Sequence, residues 1–170
     1  DGVADWVAQR LGADDDAVVR RGIALGHSLF TPEDIRTDQP LRDQHPYAGW
    51  LYLEYTPLIQ QAGQVDQFTF QIGLIGPSAG GEFAQNEFHV LIGEPEALGW
   101  ENQLHDELTL GVAWDRRLRR IANFELGDLS VDLTPTVGVS LGTVQTNAKL
   151  GAMLRLGDDL RVDYGPPRVR

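Results

Sequence analysis

The chain has 170 residues, 14 Lys and Arg against 25 Asp and Glu, a net charge of −11, no Cys and one Met. That length suits one domain, and the 42% apolar content can supply a core; the acidic balance argues against a non-specific nucleic-acid binder, which needs a basic footprint. Without Cys there is no disulfide scaffold, Cys-ligated zinc, iron–sulfur cluster or thiol nucleophile.

Trp6, Val7 and Leu11, followed by Asp14-Asp15-Asp16, predict a short helix and a turn. From Val18 the period becomes two: Ile23, Leu25 and Leu29 share one face, and Ala24, Gly26 and Ser28 the other, until Thr31-Pro32 ends the strand. A polar loop with Pro40 and Pro46 leads to a second strand, Tyr47 to Tyr55, and a turn over Gln60 to Val65. In the third strand Phe68, Phe70, Ile72 and Leu74 oppose Gln67, Thr69, Gln71 and Gly73. A long connection from Pro77 to about Asp106 follows, with a short helix predicted over Glu82 to Leu91. Alternation resumes from Leu108 to Asp115. It returns after a Gly127-Asp128 turn from Leu129 to Leu141, and again from Ala148 to Leu156, before a turn at Gly157-Asp158-Asp159 and the proline-bearing end, Arg161 to Arg170.

The reading is one domain over 1–170, with about six long strands across roughly 18–160. Strands of soluble proteins run to about 5–6 residues, whereas a tilted strand crossing a bilayer needs about 9–11. No run of 18 apolar residues offers a transmembrane helix. One face of each strand is aliphatic, and the other is small and polar, with Glu54, Asp132, Lys149 and Arg155. That is the lipid-out, polar-in pattern of an outer-membrane barrel. A soluble sandwich or lipocalin-like barrel would alternate too, with its apolar face inside.

Chemistry points to the long connection, since loops of that length in a β-protein are commonly functional. Gln85 and His89 stand four apart and share one helix face. His is the side chain best suited to accept a proton near neutral pH, and a helix can hold and aim it. The plainer reading makes His89 a polar residue capping a loop. His27, on the apolar face, reads as interfacial, and His45 and His105 as solvated loop residues. No G-x-S-x-G elbow and no H-E-x-x-H motif is present. Ser78-Ala79-Gly80-Gly81 could hold an anion through backbone N–H groups but lacks a P-loop lysine. Glu33, Asp34, Asp38 and Asp43 offer oxygen ligands without EF-hand spacing.

The block Gly76-Pro77-x-Ala79-Gly80-Gly81-x-x-x-Gln85-Asn86-x-x-His89-x-x-Ile92-Gly93 resembles the signature of the lipid A 3′-O-deacylase family of Gram-negative outer membranes. Phe30-Thr31-Pro32, Pro46-Tyr47-Ala48-Gly49-Trp50-Leu51 and Gly99-Trp100-x-x-Gln103-Leu104 support it in family order. The resemblance implies an all-β, antiparallel transmembrane barrel of twelve strands, with a short helix in one long loop and an active site on the lipid-facing side of the rim. It implies calcium-assisted ester hydrolysis that removes the 3′-linked acyloxyacyl group from lipid A. The matching His89 would be the general base, and Gln85 part of the same site. The expected partners are lipid A or lipopolysaccharide and outer-membrane lipids, with no nucleic acid. The alternatives are a non-catalytic outer-membrane barrel binding lipopolysaccharide or a partner, and an esterase acting on another lipid.

The family's first-strand Asn-Asp pair and second-strand Thr have no match before Val18. Its loop Lys has no clear counterpart beside Arg36 and Arg42. Six strands cannot close alone, because single-chain barrels start at about eight. The expectation is therefore a piece of a longer protein or a partial gene, whose calcium ligands the sequence does not identify.

Overall fold

The alternation of large apolar with small polar residues folds into one antiparallel sheet. The computed structural model describes residues 2–10, 12–14, 16–118, 121–126, 129–157 and 160. Helix α1 (Val3–Arg10) precedes β1 (Val18–Phe30), β2 (Ala48–Gln61) and β3 (Gln64–Ile75). Helix α2 (Gly81–Ile92) lies in the long connection, between short 3-10 turns at Pro77–Ala79 and Trp100–Asn102. Strands β4 (Glu107–Leu118), β5 (Ala122–Leu126), β6 (Leu129–Gly142) and β7 (Asn147–Gly157) complete the described elements. The Gly127-Asp128 turn, Asp158-Asp159 and the segment 161–170 lie outside the described residues, as do Leu11 and Asp15.

Strand β1 pairs with β2, β2 with β3 and β3 with β4, and β6 pairs with β4, β5 and β7. The six long strands stand where the alternation placed them. The seventh, β5, is an addition, because Ala122–Leu126 is too short to show a convincing period. It continues β4 along the same edge of β6. Arg117 pairs with Thr136 and Ala122 with Leu133, so five steps along the β4–β5 side span three on β6. Pro135 sits in that gap, facing neither β4 nor β5 in register, where its missing N–H costs no ladder bond. Strand β2 outruns its expected end at Tyr55 and runs through Pro57 to Gln61. The β2–β3 register passes from Tyr55 to Leu58, skipping Thr56 and Pro57, while pairing with β1 continues.

The two faces decide between the barrel readings. Ile23, Leu25, Leu53, Ile72, Leu110 and Leu150 all lie exposed on one face. Thr69, Thr109, Asp115, Asp132 and Thr134 are buried on the other. A soluble sheet buries the first set and wets the second; this sheet does the reverse. Charged groups of the polar face pair with one another, while Asn147 Oδ1 is buried there without a hydrogen-bond partner among the described residues. Lys149 Nζ lies 2.6 Å from Asp115 Oδ1, and Arg155 pairs with the fully buried Asp132. Gln71 donates to Glu54 at 2.9 Å, and the Trp50 indole N–H donates to Thr109 Oγ1 at 3.0 Å.

At the end where β1 begins, α1 covers part of the apolar face. Val7 and Ala8 pack on Ile59, with Val19 and Phe68 against them. Phe68 therefore shares its face with the exposed Phe70 and Ile72 but is half-buried under this cluster.

Candidate functional site

The segment after β3 turns sharply because three glycines let it. Gly76 has φ +114, and a Cβ there would meet the His105 backbone at 2.6 Å. Pro77 opens the 3-10 turn, and Gly80, at φ +71, ends it in the left-handed conformation and launches α2. Gly93, at φ +77, closes the helix with its N–H on the His89 and Val90 carbonyls.

A backbone contact places the helix. Gly49 belongs to the apolar face of β2, with Leu51 and Leu53. A Cβ on Gly49 would lie 2.8 Å from the Gly81 nitrogen, and one on Gly81 would lie 2.6 Å from the Trp100 ring and 2.8 Å from Gly49 Cα. Helix α2 thus starts on the apolar side of the sheet, at the end where Leu29 and Leu51 lie. Trp100 is buried, with its ring centroid 4.9 Å from that of Tyr47. Burial pushes the Tyr47 hydroxyl above its ordinary pKa, with the Gly99 backbone countering and Asp34 adding to the rise.

Three side chains on one side of α2 are held by the return segment. Gln85 Oε1 accepts from the Trp100 indole N–H at 2.9 Å. Asn86 Oδ1 accepts from the Ala97 N–H at 2.9 Å. His89 Nδ1 lies 2.6 Å from the Pro95 carbonyl oxygen. A carbonyl oxygen only accepts, so Nδ1 carries a proton, and in the neutral imidazole the lone pair is on Nε2. An indole N–H only donates, so the amide of Gln85 is fixed with its oxygen on Trp100 and its NH₂ left as a donor. The pair read from the i, i+4 spacing is therefore brought to one face, each member in a defined hydrogen-bonding state. In the 3-10 turn before α2, Ser78 donates to Asp106 from both its N–H, at 2.8 Å, and its hydroxyl, at 2.6 Å. Those bonds to Ser78 hold the Asp106 carboxyl below its ordinary pKa.

Of the remaining histidines, His45 and His105 line one cavity with Phe30, Gln103 and Glu107. His27 is exposed on the apolar face, opposite Leu51. His45 is exposed, but its ring stacks on Phe30 at 5.4 Å and its Nδ1 lies 3.0 Å from the Pro46 oxygen, so it is more ordered than a solvated loop residue. In the acidic loop, Asp34 accepts from the Arg36 N–H and Asp38 from the Gln39 amide. Among the described residues no group of three or more His, Asp or Glu side chains converges to hold a metal ion. Trp100, Asn86 and Asp106 are the positioning residues to which sequence reading assigned no role. The first two stand inside the quoted blocks, whereas Asp106 carried no signal.

The profile of the LpxR outer membrane protein family matches residues 1–170. Among solved structures, LpxR from Salmonella typhimurium is similar in fold, with a TM-score of 0.74 at 19% identity. The match covers 83% of this chain and 48% of that one, so the matched region spans about half the length of that protein. No curated protein sequence matches.

Proposed function

The chain belongs to the LpxR outer membrane protein family, and from that premise we propose that it contributes the general base of an outer-membrane hydrolase that removes the 3′-linked acyloxyacyl group of lipid A. The observation carrying this reading is the His89 Nδ1 contact with the Pro95 carbonyl, which commits the imidazole to the tautomer whose Nε2 accepts a proton. A base aimed by a neighbour's hydrogen bond is the arrangement that general-base chemistry requires. The outward side of the sheet, where α2 begins, is the side on which an acyl chain would lie.

In the proposed reaction Nε2 of His89 takes a proton from water as the oxygen attacks the ester carbonyl. The acyl C–O bond then breaks, the proton passes from the imidazolium to the departing sugar hydroxyl, and the free fatty acid leaves. The NH₂ of Gln85, held by Trp100, is the nearby donor suited to orient the ester carbonyl or the water. Calcium, implied by the family resemblance, finds no converging set of acidic or imidazole ligands among the described residues. No step is therefore routed through it. Its participation is a separate proposal, tested by chelation in the same assay.

The test is mass spectrometry of lipid A from Gram-negative cells making the protein or its His89→Ala variant. General-base catalysis is worth about 10²–10⁴-fold, so the variant should leave lipid A fully acylated. Deacylation at the parent level by His89→Ala would remove His89 from the mechanism. An inert parent protein that still binds lipopolysaccharide would favour the binding-barrel alternative, and one active on another lipid ester would reassign the substrate.

A further inference from the structure

Helix α2 has a second face that the hydrolytic reading does not use. With Gln85, Asn86 and His89 tied to the return segment, the opposite arc carries Phe83, Val90, Leu91 and Phe88, with Phe83 72% and Leu91 80% exposed. Four large apolar side chains this exposed, flanking Glu87 on one helix face, mark an interaction surface. The Gly49–Gly81 contact starts the helix on the same side of the sheet as Leu29 and Leu51, which are themselves exposed. The helix arc thus continues the apolar wall of an outer-membrane protein.

We propose that this arc of α2 inserts among the acyl chains of the surrounding outer leaflet, so that α2 is a lipid-contacting element and not a solvent-exposed loop helix. The occupant is hydrocarbon. Apart from Glu87 the exposed arc is aliphatic and aromatic, and it is continuous with the apolar face of the sheet. Glu87 lies within the arc and is exposed, which limits the helix to an interfacial depth, with the carboxylate reaching the headgroup level. The inference rests on the outer-membrane location and not on the hydrolytic role of His89, so it stands or falls without an activity measurement.

Residues 1–170 contain no Cys, and a single Cys introduced into an otherwise Cys-free background gives a single label. Phe88→Cys and Leu91→Cys would each carry an environment-sensitive fluorophore in the protein reconstituted into phosphatidylcholine vesicles. Leu110→Cys on the barrel wall and Asp43→Cys in the loop after β1 are the references. Vesicles containing brominated acyl chains should quench the two helix labels within about twofold of the Leu110 label, while aqueous iodide quenches only the Asp43 label. Glu87→Leu should bring the helix labels closer to the Leu110 value. Quenching of Phe88 and Leu91 labels by iodide alone would place the arc in water and overturn the proposal. Protection from both quenchers would also overturn it, because the arc would then be covered by protein.

Discussion

The indole N–H of Trp100 donates to Oε1 of Gln85 at 2.9 Å, and that contact sets which end of the amide is free to meet a ligand. Trp100→Phe keeps the ring under Gly81 but releases the amide. Turnover should fall about 10–10²-fold, less than for His89→Ala, because orientation is lost and the base is not. Gln85→Glu keeps an acceptor for the indole and loses the donor. If the NH₂ acts on the substrate, Glu and Ala at position 85 should be equally impaired in kcat, and a Glu variant near parent activity would limit Gln85 to holding Trp100.

The seat of α2 should be intolerant of a single methyl group. In Gly81→Ala the new Cβ meets backbone at Gly49 and the ring of Trp100, neither of which is a flexible side-chain end. The expected outcome is loss of hydrolysis with the barrel still folded, seen as unchanged heat-modifiable mobility on gels. Gly22→Ala is the control, because its nearest neighbour would be 3.8 Å away.

Leu53 lies mid-strand on the apolar face, flanked in the ladder by Leu25 and Ile72. Leu53→Arg should destabilise the protein in bilayers by roughly 2–4 kcal/mol, read from the shift in urea midpoint at constant slope. Ser28→Lys, on the opposite face of β1, should cost far less. Equal costs would contradict the assignment of faces.

The alternation made the six long strands and their faces legible, because a period of two over nine or more residues is hard to produce by chance. The strand ends were less legible where proline interrupts the pattern, as at Pro57, since whether the missing N–H matters depends on a partner strand that the sequence does not display. Strand β5 was hidden for a related reason: it exists because β6 offers an edge beyond the reach of β4. At the site, Gln85 and His89 were visible from helical spacing, but the tautomer of His89 depends on Pro95, a contact made by a loop returning six residues later. Asp106 was not legible, because its partner Ser78 lies 28 residues away.

Asp106 gives a pH-dependent expectation. Its carboxyl is held below the ordinary value by two hydrogen bonds from Ser78. A depressed carboxylate contributes stability above its unfolded-state pKa and loses it as pH falls through the lowered folded value. Hydrogen exchange at the Ser78 amide should therefore be faster in Asp106→Asn than in the parent at neutral pH, and the difference should vanish in strongly acid medium. A difference that persists there would show that the loop is held by something other than the charge of Asp106.

The slip between β4 and β5 is even-numbered, and that parity limits how this chain can change length. Across it Leu110 and Phe124 stay on one side of the wall, because two extra residues return the side chains to the face they left. A single-residue insertion between Leu118 and Ala122, with β5 kept in its pairing, would force an unpaired kink. With β5 shifted to absorb the insertion, Phe124 would turn into the polar interior. Length variation at this point should therefore be tolerated in pairs, and a chain one residue longer here should insert poorly while one two residues longer inserts well.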